Sequence, residues 1–188
     1  MAQRFVLWTA IMTSQLTLTV AAFVACLSFA TAAETTVTLS GVHNCCNGCA
    51  KGITEAASKI KDVTVKPGGR NVMITAKSKS AIKKAVEAIL SAGYFGTMSG
   101  EDAEKSPGGS GSAALAAKPK MTKSATVSGL HLCCQKCANA VNEAAKSVTG
   151  VAETDAASKA EKITVKGDFD QNALELALQG AGFNGKIR

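Results

Sequence analysis

Six of the seven cysteines stand in two short runs, Cys45-Cys46-Asn47-Gly48-Cys49 and Cys133-Cys134-Gln135-Lys136-Cys137. A histidine precedes each run by two residues, His43 and His131. Thiolates in such numbers suit soft or borderline cations such as Cu(I), Zn(II), Hg(II) or Cd(II). The spacing Cys46-x-x-Cys49, repeated as Cys134-x-x-Cys137, fits a loop that enters the first turn of a helix. There, backbone N–H groups without helical partners favour negative charge and draw a thiol toward thiolate. Cys45 and Cys133 add a third sulfur to each loop, and His43 and His131 an imidazole. Each loop is therefore expected to offer one ion up to three sulfurs and one nitrogen. Two other chemistries use the same residues. A Cys-x-x-Cys pair can exchange disulfides, or the cysteines can be structural members of a non-catalytic interaction module. A disulfide between Cys45 and Cys46, or between Cys46 and Cys49, would switch metal binding off.

The loops sit in a repeat. Gly41-Val42-His43 to Ala50 recurs as Gly129-Leu130-His131 to Ala138 at an offset of 88, and Ala92-Gly93-Tyr94 recurs as Ala181-Gly182-Phe183 at 89. In the first copy, Thr35 to Leu39 alternates as a strand. A helix starts near Cys46 or Asn47, with Ile53, Ala56, Ala57 and Ile60 on one face. Val63 and Val65 alternate, Pro67-Gly68-Gly69 predicts a turn, and Val72 and Ile74 alternate again. A second helix runs from Ser80 to Ser91, Gly93 ends it, and a last strand includes Phe95. The second copy reads alike, from a strand at Ala125 to Ser128 through helix positions Val141, Ala144, Ala145 and Val148. Val151 opens its next strand, Ile163 and Val165 lie in another, and Leu174, Ala177, Leu178 and Ala181 mark the last helix. The order βαββαβ predicts an α+β chain of two ferredoxin-like sandwiches joined by a flexible linker. Tyr94 and Phe183 read as packing residues, and Met73, Met98 and Met121 as core or loop.

The expected boundaries are a signal peptide over 1–33, one domain over 34–100, a linker over 101–123 and a second domain over 124–188. The leader reading rests on Arg4, an uncharged stretch from Phe5 to Ala33 and the small-x-small site Ala30-Thr31-Ala32. It implies export, to a periplasm or outside the cell. The alternative is a membrane anchor formed by residues 5–33, the chain's one route to a membrane. Ser106 to Ser112 is Gly- and Ser-rich, and as a coil the linker's ends would average roughly 27 Å apart. The loops are then free to meet without fixed geometry.

Composition narrows the function classes. The chain has 188 residues and a net charge of +7, with aromatic residues only 4% of the total. With one Trp, one Tyr and two His, it lacks stacking residues for single-stranded nucleic acid and material for a His-rich metalloenzyme. Residues 34–100 carry nine Lys and Arg against four acids, while 124–188 balance seven against seven. Lys51, Lys59, Lys61, Lys83 and Lys84 of the basic copy read as a solvated face, with steering of an acidic partner domain as the alternative.

Each copy resembles the heavy-metal-associated domains of small copper chaperones, periplasmic mercury-binding proteins and the N-terminal modules of metal-transporting ATPases. Gly41 and Gly129 match the Gly of the family's Gly-Met-x-Cys-x-x-Cys motif. Cys46 with Cys49, and Cys134 with Cys137, match its metal-binding pair. Ala92-Gly93-Tyr94 resembles the Ala-Gly-Tyr often found near the metal loop. The resemblance implies a non-enzymatic metal carrier, loaded with copper(I) or zinc, that meets a metal-transporting ATPase or another metal-binding domain. Two departures stand out. Val42 and Leu130 replace the motif's Met, and each loop is longer, running His-x-Cys-Cys-x-x-Cys. Cys45, Cys133, His43 and His131 have no counterpart in the motif, so the family's two-coordinate copper geometry does not carry over unchanged.

Overall fold

The computed structural model describes residues 34–99 and 118–188. The expected leader and most of the expected linker lie outside the described residues. The first half runs β1 (Thr35–Ser40), α1 (Asn47–Ser58), β2 (Val63–Gly68), β3 (Asn71–Ala76), α2 (Lys79–Ser91) and β4 (Thr97–Ser99). The second runs β5 (Met121–Ser128), α3 (Gln135–Lys146), β6 (Val151–Thr154), β7 (Lys162–Asp170), α4 (Gln171–Gly180) and β8 (Lys186–Ile187). Each half holds one antiparallel sheet, in the orders β2-β3-β1-β4 and β6-β7-β5-β8. The α+β class and the βαββαβ order agree with the sequence pattern.

Alternation explains the sheets. Val37 and Leu39 of β1 are buried and stand opposite Ile74 and Val72 of β3. Ile53 and Ala57 of α1, and Ile82, Val86 and Ile89 of α2, close the same core. In the second half, Val127, Ile163 and Val165 face Val141, Ala145, Leu174 and Leu178. Ser78 caps α2 by accepting the Ala81 N–H, and Asp170 caps α4 by accepting the Asn172 N–H.

Several boundaries differ from the expected ones, each for a local reason. Pro67 and Gly68 belong to β2 and the turn falls at Gly69-Arg70. β2 lies at the edge of its sheet, where a proline forfeits no ladder bond. α1 ends at Ser58, so Ile60 packs from beyond the helix. β5 begins at Met121, before the expected Ala125. The polar Thr122-Lys123-Ser124 has no readable alternation, and a register shift interrupts it. It is held because Asp170 accepts the Lys120 N–H and Lys120 accepts the Gln171 N–H. Met73 and Met121 prove to be exposed strand residues. Phe95 is not in β4; its N–H donates instead to the Gly182 carbonyl of the other half at 2.9 Å.

That last bond belongs to a seam that sequence reasoning missed. The described residues of both halves, 34–99 and 118–188, belong to one compact unit, not two bodies with free mutual geometry. Tyr94 and Phe183 pair as an antiparallel bridge. Around it, Asn184 donates its N–H to Gly93 at 3.0 Å and its side-chain N–H to Leu90 at 2.8 Å. Arg70 donates to the carbonyls of Gly41 at 3.1 Å and Gly180 at 3.3 Å. Gly180 ends α4, where a cation is favoured.

Gly93 and Gly182 make the close approach possible. Both have positive φ, 91° and 89°. A Cβ on Gly93 would run into the backbone of Gly129 and His131, and one on Gly182 into that of Gly41 and His43. Each glycine therefore presses on the other half's His loop. Gly182→Ala is expected to destabilise the chain by about 2 kcal/mol, from left-handed strain together with the backbone clash. Thermal or urea unfolding measures this; a loss under about 0.5 kcal/mol would show that the seam does not contribute to stability.

Candidate metal centre

The two cysteine loops meet across the seam. Cys46 and Cys134 are the N-cap residues of α1 and α3, both in extended backbone. Cys49 and Cys137 lie in the first turn and are fully buried. No disulfide joins the six described cysteines. Their sulfurs are packed together instead. Within the loops, Cys49 stands 3.8 Å from both Cys45 and Cys46, and Cys137 stands 3.6 Å from Cys133 and 3.7 Å from Cys134. Between the loops, Cys45 reaches Cys134 at 3.9 Å and Cys137 at 3.7 Å. Cys133 reaches Cys46 at 3.7 Å and Cys49 at 3.5 Å, and Cys49 meets Cys137 at 3.7 Å. The pattern is two-fold: exchanging Cys45, Cys46 and Cys49 for Cys133, Cys134 and Cys137 reproduces it.

These spacings suit a coordinating ion. Four donors bound tetrahedrally at about 2.3 Å stand roughly 3.8 Å apart. Thiolates so placed without a cation would repel one another, which favours either protons or metal among them.

The histidines complete the arrangement. A ring nitrogen of His43 lies within 4.8 Å of the Cys45 and Cys137 sulfurs, and one of His131 within 4.8 Å of Cys49 and Cys133. Each imidazole thus faces one sulfur of its own loop and one of the other. The Nε2 atoms of both are buried without a hydrogen-bond partner, an arrangement that a metal bond would satisfy. His43 also bonds the Ala181 carbonyl. That contact leaves Nε2 as the free atom, in the way metal-bound imidazoles are usually oriented.

Aromatic rings from the opposite half hold the imidazoles. His43 stacks on Phe183 with ring centres 4.3 Å apart, and His131 on Tyr94 at 4.5 Å. Tyr94 and Phe183 are therefore part of the site rather than plain packing. Their recurrence in matching Ala-Gly-aromatic segments of the two copies was the available signal, but nothing in it said that each ring serves the other copy's histidine.

The electrostatics set two groups of thiols apart. The Cys137 and Lys136 N–H groups draw the Cys134 thiol down to about 6. The Cys49 N–H, helped by that of Gly48, lowers Cys46 in the same way. Burial pushes Cys45, Cys133 and Cys137 well above the ordinary thiol range, with neighbouring cysteines adding to it. Burial lowers both histidines, helped at His43 by the Arg70 cation, so each is neutral at pH 7 and able to ligate. The lowered thiols lose their protons more readily and so meet an ion first, while the raised thiols must still be deprotonated to receive it.

Residues 124–184 match the heavy-metal-associated domain. That segment holds the second cysteine loop, His131 and Phe183. Two solved structures from Bacillus subtilis are similar to the chain over most of its length. One is the N-terminal soluble domains of CopA, at 18% identity over 83% of this chain and 95% of that one. The other is the water-soluble region of the P-type ATPase CopA, at 17% identity over 83% and 92%. Both have a TM-score of 0.30, too low to define a shared architecture. No curated protein matches. The heavy-metal-associated match and the six clustered thiols together support heavy-metal binding through cysteine.

Two measurements probe the site's supports. In metal-free, reduced protein, Cys134 is expected to be alkylated by iodoacetamide once the pH rises through about 6. Cys45, Cys133 and Cys137 should stay unreactive through neutral pH; peptide mapping reads the order, and uniform reactivity would contradict the burial argument. The second concerns Tyr94, whose hydroxyl donates to the Cys49 carbonyl at 3.1 Å and fills the space where a Cβ on Gly52 would lie. In the second half, Ala140 and Phe183 stand at the equivalent places. Gly52→Ala alone should cost about 1–3 kcal/mol by overpacking, and adding Tyr94→Phe should recover most of it. Unfolding curves of the two single variants and the double variant test that compensation.

Proposed function

We propose that this protein is an exported carrier of a soft or borderline heavy-metal cation, held by cysteine thiolates for buffering, detoxification or delivery. The observation that supports this most directly is the mutual approach of six free thiols, each sulfur within 3.9 Å of others from both loops. The donor set of Cys45, Cys46, Cys49, Cys133, Cys134 and Cys137, with His43 and His131 beside it, favours copper(I) or zinc among common ions. The mechanism is ligand exchange. An outer thiolate at a helix start, Cys46 or Cys134, takes the ion first, and inner sulfurs replace the incoming donor as they release protons. Delivery reverses the order: a partner's thiolate enters as an outer cysteine leaves. A metal-transporting ATPase or another metal-binding domain is the kind of partner that fits. No catalytic step is needed, and the carrier reading is non-enzymatic. Export, to a periplasm or outside the cell, follows from the leader pattern of 1–33, with anchoring by residues 5–33 as the alternative.

Thiol–disulfide exchange is the weaker reading. Such a protein needs one attacking sulfur and one resolving sulfur with space for a substrate disulfide. Here no sulfur has a single neighbour, and the reactive Cys134 faces Cys45 and Cys137 alike.

Anaerobic titration of the reduced chain with Cu(I) and Zn(II) tests the carrier reading. Stoichiometric binding is expected, with the six thiols protected from a thiol reagent and apparent affinity falling as pH falls. The sign follows from the raised inner thiols, which regain protons first as acid is added. Six fully reactive thiols in the presence of both ions would overturn it.

A further inference from the structure

The copies are alike in sequence, and the natural expectation is one ion per loop. The geometry argues otherwise. Cys46 has φ −162° and ψ 169°, and Cys134 has φ −151° and ψ 172°. In backbone so extended, adjacent side chains project to opposite sides. The Cys45 and Cys46 sulfurs nevertheless lie within 4.8 Å of each other, as do those of Cys133 and Cys134. A compact three-sulfur set drawn from one loop would need both members of such a pair.

Among the sulfur contacts of 3.9 Å or less given above, triangles close only between loops. Cys45, Cys134 and Cys137 form a triangle with sides of 3.9, 3.7 and 3.7 Å. Cys133, Cys46 and Cys49 form its two-fold mate with sides of 3.7, 3.5 and 3.8 Å. The triangles share no atom and together use every described sulfur once. The histidines sort the same way. His43 faces Cys45 and Cys137 of the first triangle, and His131 faces Cys133 and Cys49 of the second. Both Nε2 atoms are buried and unpartnered, and each ring is held by an aromatic side chain of the opposite half. The edges are those of a tetrahedral ion with sulfur at about 2.3 Å, for which three sulfurs and one imidazole are a well-known donor set.

We propose that the chain holds two thiophilic divalent ions in crossed sites. His43, Cys45, Cys134 and Cys137 surround one; His131, Cys133, Cys46 and Cys49 surround the other. Each site takes the His-x-Cys of one loop and the Cys-x-x-Cys of the other, so neither half can complete a site alone. On binding, each ion replaces the protons that its three thiols still carry, and the neutral imidazole enters through Nε2. Cys49 and Cys137, 3.7 Å apart, are the point where the two sites touch. The crossing accounts for the longer loop: the added His-x-Cys reaches over the seam to a pair it does not belong to. It also ties loading to docking, because an ion in either site staples the halves together.

The inference rests on the carrier reading above, and the test separates the two. The full chain, reduced and anaerobic, is loaded with Cd(II), and bound metal is counted after gel filtration. Wild type should hold two ions. Cys45→Ser/Cys137→Ser removes two ligands from one crossed site and should keep one tightly bound ion. Cys45→Ser/Cys49→Ser damages both crossed sites and should keep none of comparable affinity. Sites local to each loop predict the reverse, and that result would overturn the crossing while leaving the carrier reading intact. Equal loss in both double variants, the mark of one indivisible cluster, would also overturn it. No cadmium on wild type would overturn the carrier reading itself. Because double variants can misfold, the unmodified chain gives a second readout. Two ¹¹³Cd resonances are expected, one coupled to the β-protons of Cys45, Cys134 and Cys137, the other to those of Cys46, Cys49 and Cys133. Couplings grouped by loop would refute the proposal.

Discussion

The structure depends on one constraint: two cysteine loops are pressed together until sulfurs from both lie within 3.9 Å of each other. Six thiols at that spacing cannot all ionise unless a cation neutralises them. The surrounding protein is arranged to hold them there. The starts of α1 and α3 supply N–H groups to Cys46 and Cys134, and the hydrophobic core shared by the halves buries Cys49 and Cys137. The stacked pairs His43–Phe183 and His131–Tyr94 close the remaining sides.

The seam that brings the loops together is pinned by backbone hydrogen bonds. Phe95 and Asn184 donate to the carbonyls of Gly182 and Gly93, and the two glycines admit the opposing chain where no side chain would fit. The Ala-Gly-aromatic segments thus do two jobs. Each ends a helix of its own half, and each places an aromatic ring against the other half's histidine. Backbone pairing of this kind specifies distance closely, which sulfur ligation requires.

The two halves are similar but not identical, and the differences fall at the site. Tyr94 with Gly52 on one side stands where Phe183 with Ala140 stands on the other. The hydroxyl of Tyr94 holds the Cys49 carbonyl, while Phe183 has no equivalent atom. Arg70 lies against the loop of His43 and the end of α4, so the two ends of the thiol cluster experience different electrostatics.

The ligand types and the fold class were legible in the residues. Alternation at Val37 and Leu39, the helical stripes and the doubled cysteine run are local patterns, and local physics decides them. Even the lowered thiols at Cys46 and Cys134 follow from a cysteine placed at a helix start. What the residues did not determine was which sulfurs meet. Cys45 with Cys137, and His131 with Cys49, are far apart in sequence, and no spacing within one loop encodes their approach. Only the docking of two sheets through Gly93 and Gly182 decides it, because contact between separate elements depends on how their surfaces fit, not on any run of neighbouring residues.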